Sequence, residues 1–367
     1  MKRSRVFSLL VLSAVCYVPT AGAYSTDFQP LSTYPAVTGP AVAAVLGDGR
    51  FILYDGDAVY IETDADSGAF TQVATGYLGD PAFIAVTPDG RRCLLGAGEV
   101  DWTGDPNNDW VWLFDADAPQ NAPPVDGFGN VSDGLALVTT NYWAAWLNDD
   151  LVLIENAPGW VSQWVILDVN TGTYQKVLNK GGSSATLVLG CWLTHGYVFG
   201  TIGFGDGMGT TRTFAIQDLI DVFEEPAYDP VTSPLDWASG ILVGENPSFS
   251  SGPSTTTDAG VLVFGGYNSE ILYVDPSTGQ PVESPVTIGG VPGRTVRPYY
   301  NPVTRKTLVT MVDWGSAPDW SATYSAYIST SDFKELPAMD FFGIAVLALV
   351  LMWTSVWALR QRTAHLS

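Results

Sequence analysis

One phrase recurs along this chain: an apolar strand, a short polar turn closed by glycine, and a second strand. It is written "VYIETDADSGAFTQV" at 59–73, "VILDVNTGTYQKV" at 165–177 and "ILYVDPSTGQPV" at 271–282. The turns use Asp, Asn, Ser and Thr and end on Gly68, Gly172 and Gly279, the residue types that cap a tight turn or accept a positive φ. These glycines lie 104 and 107 residues apart, two periods of about 52. Looser copies stand at the half-way points, "WLFDADAPQNAPPV" (112–125) and "FAIQDLIDVF" (214–223), and "AYISTSDFKEL" (326–336) lies one period beyond the last. A second turn precedes each copy by about 20–30 residues, at Asp48-Gly49, Asp89-Gly90, Asp149-Asp150, His195-Gly196, Ala259-Gly260 and Val303-Thr304.

Two hairpins per period make a four-stranded antiparallel sheet. Such a sheet, apolar on both faces, cannot stand alone; stacked radially, each covers its neighbour. The expected fold is therefore all-β, a β-propeller. It has six four-stranded blades across 24–336, or seven if the long stretch 224–257 holds further strands. Glycine at 38 residues, proline at 24 and only 15% charged residues agree with many short strands and turns. Residues 24–43 are placed to supply the strand that closes the ring. No Pro/Ser-rich linker divides this span, so it reads as one domain.

The flanks read as addresses. Lys2, Arg3 and Arg5 precede an apolar run at 6–15, and "AGA" (21–23) offers a small-residue cleavage site between Ala23 and Tyr24, the pattern of an export signal covering 1–23. At the other end "FFGIAVLALVLMWTSVWAL" (341–359) has nineteen residues without a charge, about 28 Å as a helix and long enough to span a bilayer. Arg360 and Arg362 begin the basic tail 360–367 and assign it to the cytoplasmic side, so the propeller lies outside. Residues 337–340 join the two. "LPAMDFFG" (336–343) resembles the Ile-Pro-Thr-Leu type of bacterial sorting tail through Pro337 and Gly343. It places Ala338, Phe341 and Phe342 where that type has Thr, Glu and Trp. The resemblance implies a helix that a sorting enzyme removes; a permanent anchor is the other reading.

Between the flanks, 24–339 holds eleven basic and 37 acidic residues, a formal charge of −26. That disfavours nucleic acid and anionic lipid surfaces as partners, since both need a basic patch, and suits a soluble exported surface. Only Cys93 and Cys191 remain after export processing, and the sequence leaves their pairing open.

A catalytic set does not assemble from these residues. Of two histidines, His365 lies in the tail and His195 occupies a turn position. The pairs Asp64/Asp66 and Asp115/Asp117 sit in hairpin turns, and Glu224/Glu225 is the remaining pair. The best metal candidate is "DWTGDPNNDW" (101–110), where Asp105, Asn107 and Asp109 alternate as oxygen ligands of the type Ca²⁺ takes, without the central Gly or the twelfth-position Glu of an EF-hand. Trp110, Trp112, Trp143, Trp146, Trp160 and Trp164 are expected in the packing between blades rather than on a sugar-binding face.

"GDPAFIAVTPDGRRCLLGAG" (79–98) resembles the repeat of YVTN-type propellers in its proline, its Val-Thr-Pro-Asp-Gly-Arg turn and the apolar strand after it. "ILDVNTGTYQKV" and "LYVDPSTGQPV" are similar to the other half of that repeat, whereas "LLGAG" stands in place of the Tyr-Val-x-Asn signature. The resemblance implies the fold and a surface or periplasmic setting; its relatives include lactonases, dehydrogenases and adhesive proteins. Two functions remain. One is a non-catalytic binding or display module at the bacterial envelope, with an envelope protein or a glycan as partner. The other is a propeller hydrolase or lactonase using carboxylates and a loop-bound metal.

Overall fold

The structure is a computed structural model. It describes residues 23–24, 27–31, 41–77, 80–98, 110–116, 118–119, 143–156, 163–180, 187–192, 196–202, 207–245, 254–257, 261–265, 269–275, 278–282, 284–289, 295–314, 322–329 and 334–335. Two compact units are present, Ser25–Phe333 and a smaller one formed by the two chain ends.

The larger unit is a propeller of six small antiparallel sheets. Blade 1 runs from the axis outward as Val42–Val45, Phe51–Tyr54, Ala58–Glu62 and Phe70–Thr75. Blade 2 has Asp80–Val86, Arg92–Gly98 and Trp110–Asp115 among the described residues. Blade 3 is Ala144–Trp146, Leu151–Asn156, Gln163–Asp168 and Tyr174–Asn179. Blade 4 is Leu187–Trp192, Tyr197–Ile202, Thr210–Ala215 and Ile241–Glu245. Blade 5 is Ser254–Thr256, Leu262–Gly265 and Glu270–Asp275, edged by Gln280–Pro281 and Val286–Thr287. Blade 6 is Thr295–Asn301, Lys306–Trp314 and Ala322–Ser329, closed by Phe28–Pro30 from the other end of the chain. The first strands neighbour one another in cyclic order, and that of blade 6 meets that of blade 1.

The core lies between blades, as radial stacking requires. Tyr54 and Ile61 of blade 1 share a cluster with Leu95 and Trp112 of blade 2. Leu94 of blade 2 packs with Trp146 and Ile154 of blade 3. Trp164 of blade 3, fully buried, packs against Phe214 and Trp237 from the blade 4 chain, with ring centroids 5.4 and 6.4 Å away. Phe199 of blade 4 meets Phe264 of blade 5, and Leu308 of blade 6 meets Phe51 of blade 1. The tryptophans whose side chains are described accordingly lie in or beside the core.

Three expectations are corrected. The copy expected at 214–223 is not a hairpin: Thr210–Ala215 is a strand and Ile216–Phe223 is the helix α1. Ile216, Leu219, Ile220 and Phe223 fall at helical spacing, and that period overrides the turn-like "QD". Residues 224–245 make no seventh blade. They run through turns, the two-residue strand Leu235–Asp236, which pairs parallel with Leu178–Asn179 of blade 3, and a 3₁₀ turn at Trp237–Ser239, before returning as the outer strand of blade 4. The Tyr228 hydroxyl donates to the Lys176 carbonyl at 2.8 Å, so this excursion straps blade 4 onto blade 3. Finally, Ala322–Ser329 does not fold back on 334–336. It takes the N-terminal strand instead, Phe28 opposite Ser329 and Pro30 opposite Tyr327. Pro30 tolerates this because an edge strand leaves its missing N–H facing no partner. In the smaller unit Ala23–Tyr24 pairs with Lys334–Glu335. Among the described residues no helix is long and apolar enough to cross a membrane; 341–359 lies outside them.

Candidate functional site

The described turns between first and second strands, those of blades 6, 1, 2 and 3, meet one another in that order around one mouth of the ring. Glycine in blade 1 is what lets them approach: a side chain at Gly47 would press on Gly90 of blade 2, and one at Gly49, with φ +87°, would overlap Val303 of blade 6. The buried Asn301 of blade 6 donates from Nδ2 to the Gly49 carbonyl at 2.7 Å. Its Oδ1 accepts from the N–H of Val303 and of Thr304 at 3.0 and 3.2 Å, shaping its own turn. On the other side the Asp89 N–H donates to Asp149 Oδ1 at 3.3 Å, tying blade 2 to blade 3.

Arg92 occupies the seam between blades 2 and 3. Its guanidinium lies 5.6 Å from the Trp146 ring centre, pairs with Asp150 at 3.2 Å and reaches Asn170 Oδ1 at 3.5 Å. Asn170 in turn donates to the same Asp150 oxygen at 2.8 Å. Beneath them the Trp146 indole N–H donates to the Ala85 carbonyl at 3.0 Å. Further out, Lys306 of blade 6 pairs with Asp66 of blade 1 at 3.3 Å.

The carboxylates at this mouth serve the turns. Asp48 receives the Arg50 N–H at 3.0 Å and its guanidinium at 2.6 Å. Partial burial works to raise that carboxyl, but the bonds from Arg50 outweigh it and hold Asp48 below the usual carboxylate value. Asp89 is lowered too, by the Thr87 hydroxyl at 2.6 Å and the Arg91 N–H at 3.0 Å. Groups ionised so firmly are poor proton donors near neutral pH. Glu62 goes the other way: desolvation raises it even though it accepts the N–H groups of Gly68 and Phe51 at 2.8 and 3.1 Å. It is fully buried inside blade 1, where it braces the second hairpin rather than facing the mouth. Asp55 and Asp168 do the same for their turns, accepting from Ala58 and Asn170.

Among the residues singled out from sequence, Asp64 and Asp66 lie in an exposed hairpin turn, with Asp66 at φ +68°. Glu224 and Glu225 are exposed at the end of α1. Asp115 ends a strand at its exposed tip, and Asp117 lies outside the described residues. Asp105, Asn107 and Asp109 also lie outside them. His195, Pro337, Gly343 and His365 are outside as well. Ala23 and Tyr24 pair with Glu335 and Lys334. Cys93 is a free thiol, fully buried in blade 2, and desolvation pushes it well above its ordinary value. Cys191 lies on the first strand of blade 4, with blade 3 between. Among the described residues no group of three His, Cys, Asp or Glu side chains is placed to hold a metal ion. Arg92 and Asn301, which tie blades together, were not singled out; the Asn-Pro of "YYNPVT" was a readable turn signal for the second.

No protein family and no curated protein matches the sequence. Solved structures do. A gluconolactonase from Xanthomonas campestris is similar with a TM-score of 0.52 and 11% identity, over 82% of this chain and 88% of that one. An auxiliary nutrient binding protein from Bacteroides thetaiotaomicron is similar with a TM-score of 0.50 and 10% identity, over 84% and 73%. At such identities the likeness is one of fold: this chain is a β-propeller, and its chemistry has to be argued from its own side chains.

Proposed function

We propose that this protein is an exported propeller of the bacterial envelope, tethered by 341–359, that binds or displays without catalysing. The observation carrying this reading is the use made of the described mouth. Asp48, Asp89 and Asp150 spend their acceptor capacity on turn N–H groups and on the arginines Arg50 and Arg92. A rigid ring whose polar groups are used to lock blades together is a scaffold, and function then rests on what its surface presents. The export-signal pattern, the uncharged segment near the C-terminus and the formal charge of −26 over 24–339 support the address. The likeness to YVTN-type repeats supports a surface or periplasmic setting, and the likeness to sorting tails supports removal of the helix after export. The partner class is an envelope protein or a glycan. Asp105, Asn107 and Asp109 are the residues proposed to take Ca²⁺, as a brace for their loop rather than as a catalyst.

Glycan arrays and pull-downs from envelope extracts, using residues 24–336 with and without Ca²⁺, test the reading beside a lactone-hydrolysis assay. Saturable binding without turnover is the expected result. Metal-dependent turnover of a lactone, lost on Asp105→Asn with Asp109→Asn, overturns it in favour of a hydrolase like the gluconolactonase.

A further inference from the structure

Arg297 lies on the first strand of blade 6, Thr295–Asn301, at the seam with blade 1. Gly265 of blade 5 fixes this stretch from the other side, since a side chain there would overlap the Val296 carbonyl and crowd Pro298. Arg297 and Tyr299 are two apart on the strand and so share a face, the one on which Tyr299 packs with Ala43 of blade 1. Most of the polar groups on this face satisfy one another. Thr310, opposite Arg297 in the register, donates its hydroxyl proton to the Ala41 carbonyl at 2.9 Å. The Tyr299 hydroxyl is hydrogen-bonded to the Ala43 backbone, to Thr310 and to Arg297, and burial pushes it above its ordinary value, so it stays neutral beside the guanidinium.

One donor is left over. Arg297 Nη1 is buried and has no hydrogen-bond partner, although the residue as a whole is half-buried. Arg50, Arg91 and Arg92 each hold a carboxylate and Arg212 holds two carbonyls. No such group meets Arg297, and the inner strands on either side, Val42–Val45 and Ser254–Thr256, carry no charge. A guanidinium does not give up its proton, so a buried N–H of this kind is costly until an anion accepts from it.

We propose that Arg297 Nη1 holds a small monovalent anion, chloride, in the seam between blades 6 and 1. Burial of the donor favours a single atom over a phosphate or a larger carboxylic acid, and a formal charge of −22 opposes a polyanion. The ion reaches Nη1 by a shift of one long, half-buried side chain. It then ties the last blade to the first beside the Asn301 bond to Gly49, so closure of the ring responds to chloride. This site is separate from the surface on which the binding reading above depends.

The test uses the full chain in an uncharged detergent, with sodium gluconate, whose anion is too large for the seam, keeping the ionic strength constant. The chloride NMR linewidth and the thermal midpoint are followed as chloride replaces gluconate, in wild type and in Arg297→Gln. The expected result is an excess linewidth that bromide competes away and a midpoint that climbs and then saturates with chloride. Both responses should fall several-fold in Arg297→Gln. Should that variant not fold, Tyr299→Phe takes its place; it removes the hydroxyl that holds the guanidinium and should also weaken both responses several-fold. A linewidth or a midpoint indifferent to chloride in wild type overturns the proposal. So does a chloride response that survives the substitution unchanged, because the ion then binds elsewhere.

Discussion

Removing the Asn301 side chain tests ring closure at the seam where the last blade meets the first. Asn301→Ala deletes the bond to the Gly49 carbonyl and both turn bonds to Val303 and Thr304, at a site with no solvent exposure. A net hydrogen bond contributes about 1 kcal/mol, and a buried carbonyl left unmatched costs about 1–3 kcal/mol. The loss should therefore be about 3 kcal/mol. For 309 residues, with an unfolding entropy of about 2.1 cal/mol/K per residue, that lowers Tm by about 5 °C. Urea unfolding followed by tryptophan fluorescence measures the stability, and a thermal scan measures the shift. Asn170→Ala is the control. It removes the exposed bonds to Asp150 and from Arg92 and should cost no more than about 1 kcal/mol. An Asn301→Ala change within about 0.5 kcal/mol of wild type, the range of an ordinary surface substitution, refutes the claim that this residue clamps the seam.

Other outcomes follow from the packing and the buried acids. Trp164→Ala should cost about 3–5 kcal/mol in urea unfolding, since Phe214, Trp237 and the facing Gly200 would border a void. Glu62 is raised above its ordinary 4.5 in the folded chain, so just above that pH the native state keeps a proton the unfolded state has lost. Its contribution therefore falls as pH rises from 4.5 through the native value, and Glu62→Gln should flatten that fall in a stability–pH series. Cys93 should resist a thiol reagent in native protein and react fully in urea, because burial withholds both access and the thiolate.

The periodic parts of the molecule were readable because the hairpin code is local. Asp-Gly, Asn-Thr-Gly and Ser-Thr-Gly name their turns without reference to the rest of the chain, and Gly68, Gly172 and Gly279 all take a positive φ where that was expected. Gly279 also shows what the code leaves out: a side chain there would overlap the Val243 carbonyl of blade 4, a constraint from a neighbouring blade. The helix at Ile216–Phe223 is masked in the sequence because its 3.6-residue period falls where the hairpin repeat is due. The strap formed by Tyr228 and Leu235 was unreadable, since a two-residue parallel strand has no sequence signal. Closure by the N-terminus was readable only as a need: six blades require a last strand, and 24–43 was the chain left over. At the mouth, the Asp-Gly turns at 48–49 and 89–90 stand where the sequence places them, each aspartate accepting an N–H of its own turn. The inter-blade role of Arg92 depends on Asp150 and Asn170, 58 and 78 positions away.

A cross-link across the closing strand puts the ring itself to the proof. Gln29→Cys with Ile328→Cys places two thiols at register partners in the outer edge of blade 6, nearly three hundred residues apart in the chain. A closed six-bladed ring predicts an intramolecular disulfide under mild oxidation, seen as faster migration on a non-reducing gel at every protein concentration, together with a raised unfolding midpoint. Free thiols, or links only between separate molecules, would contradict it.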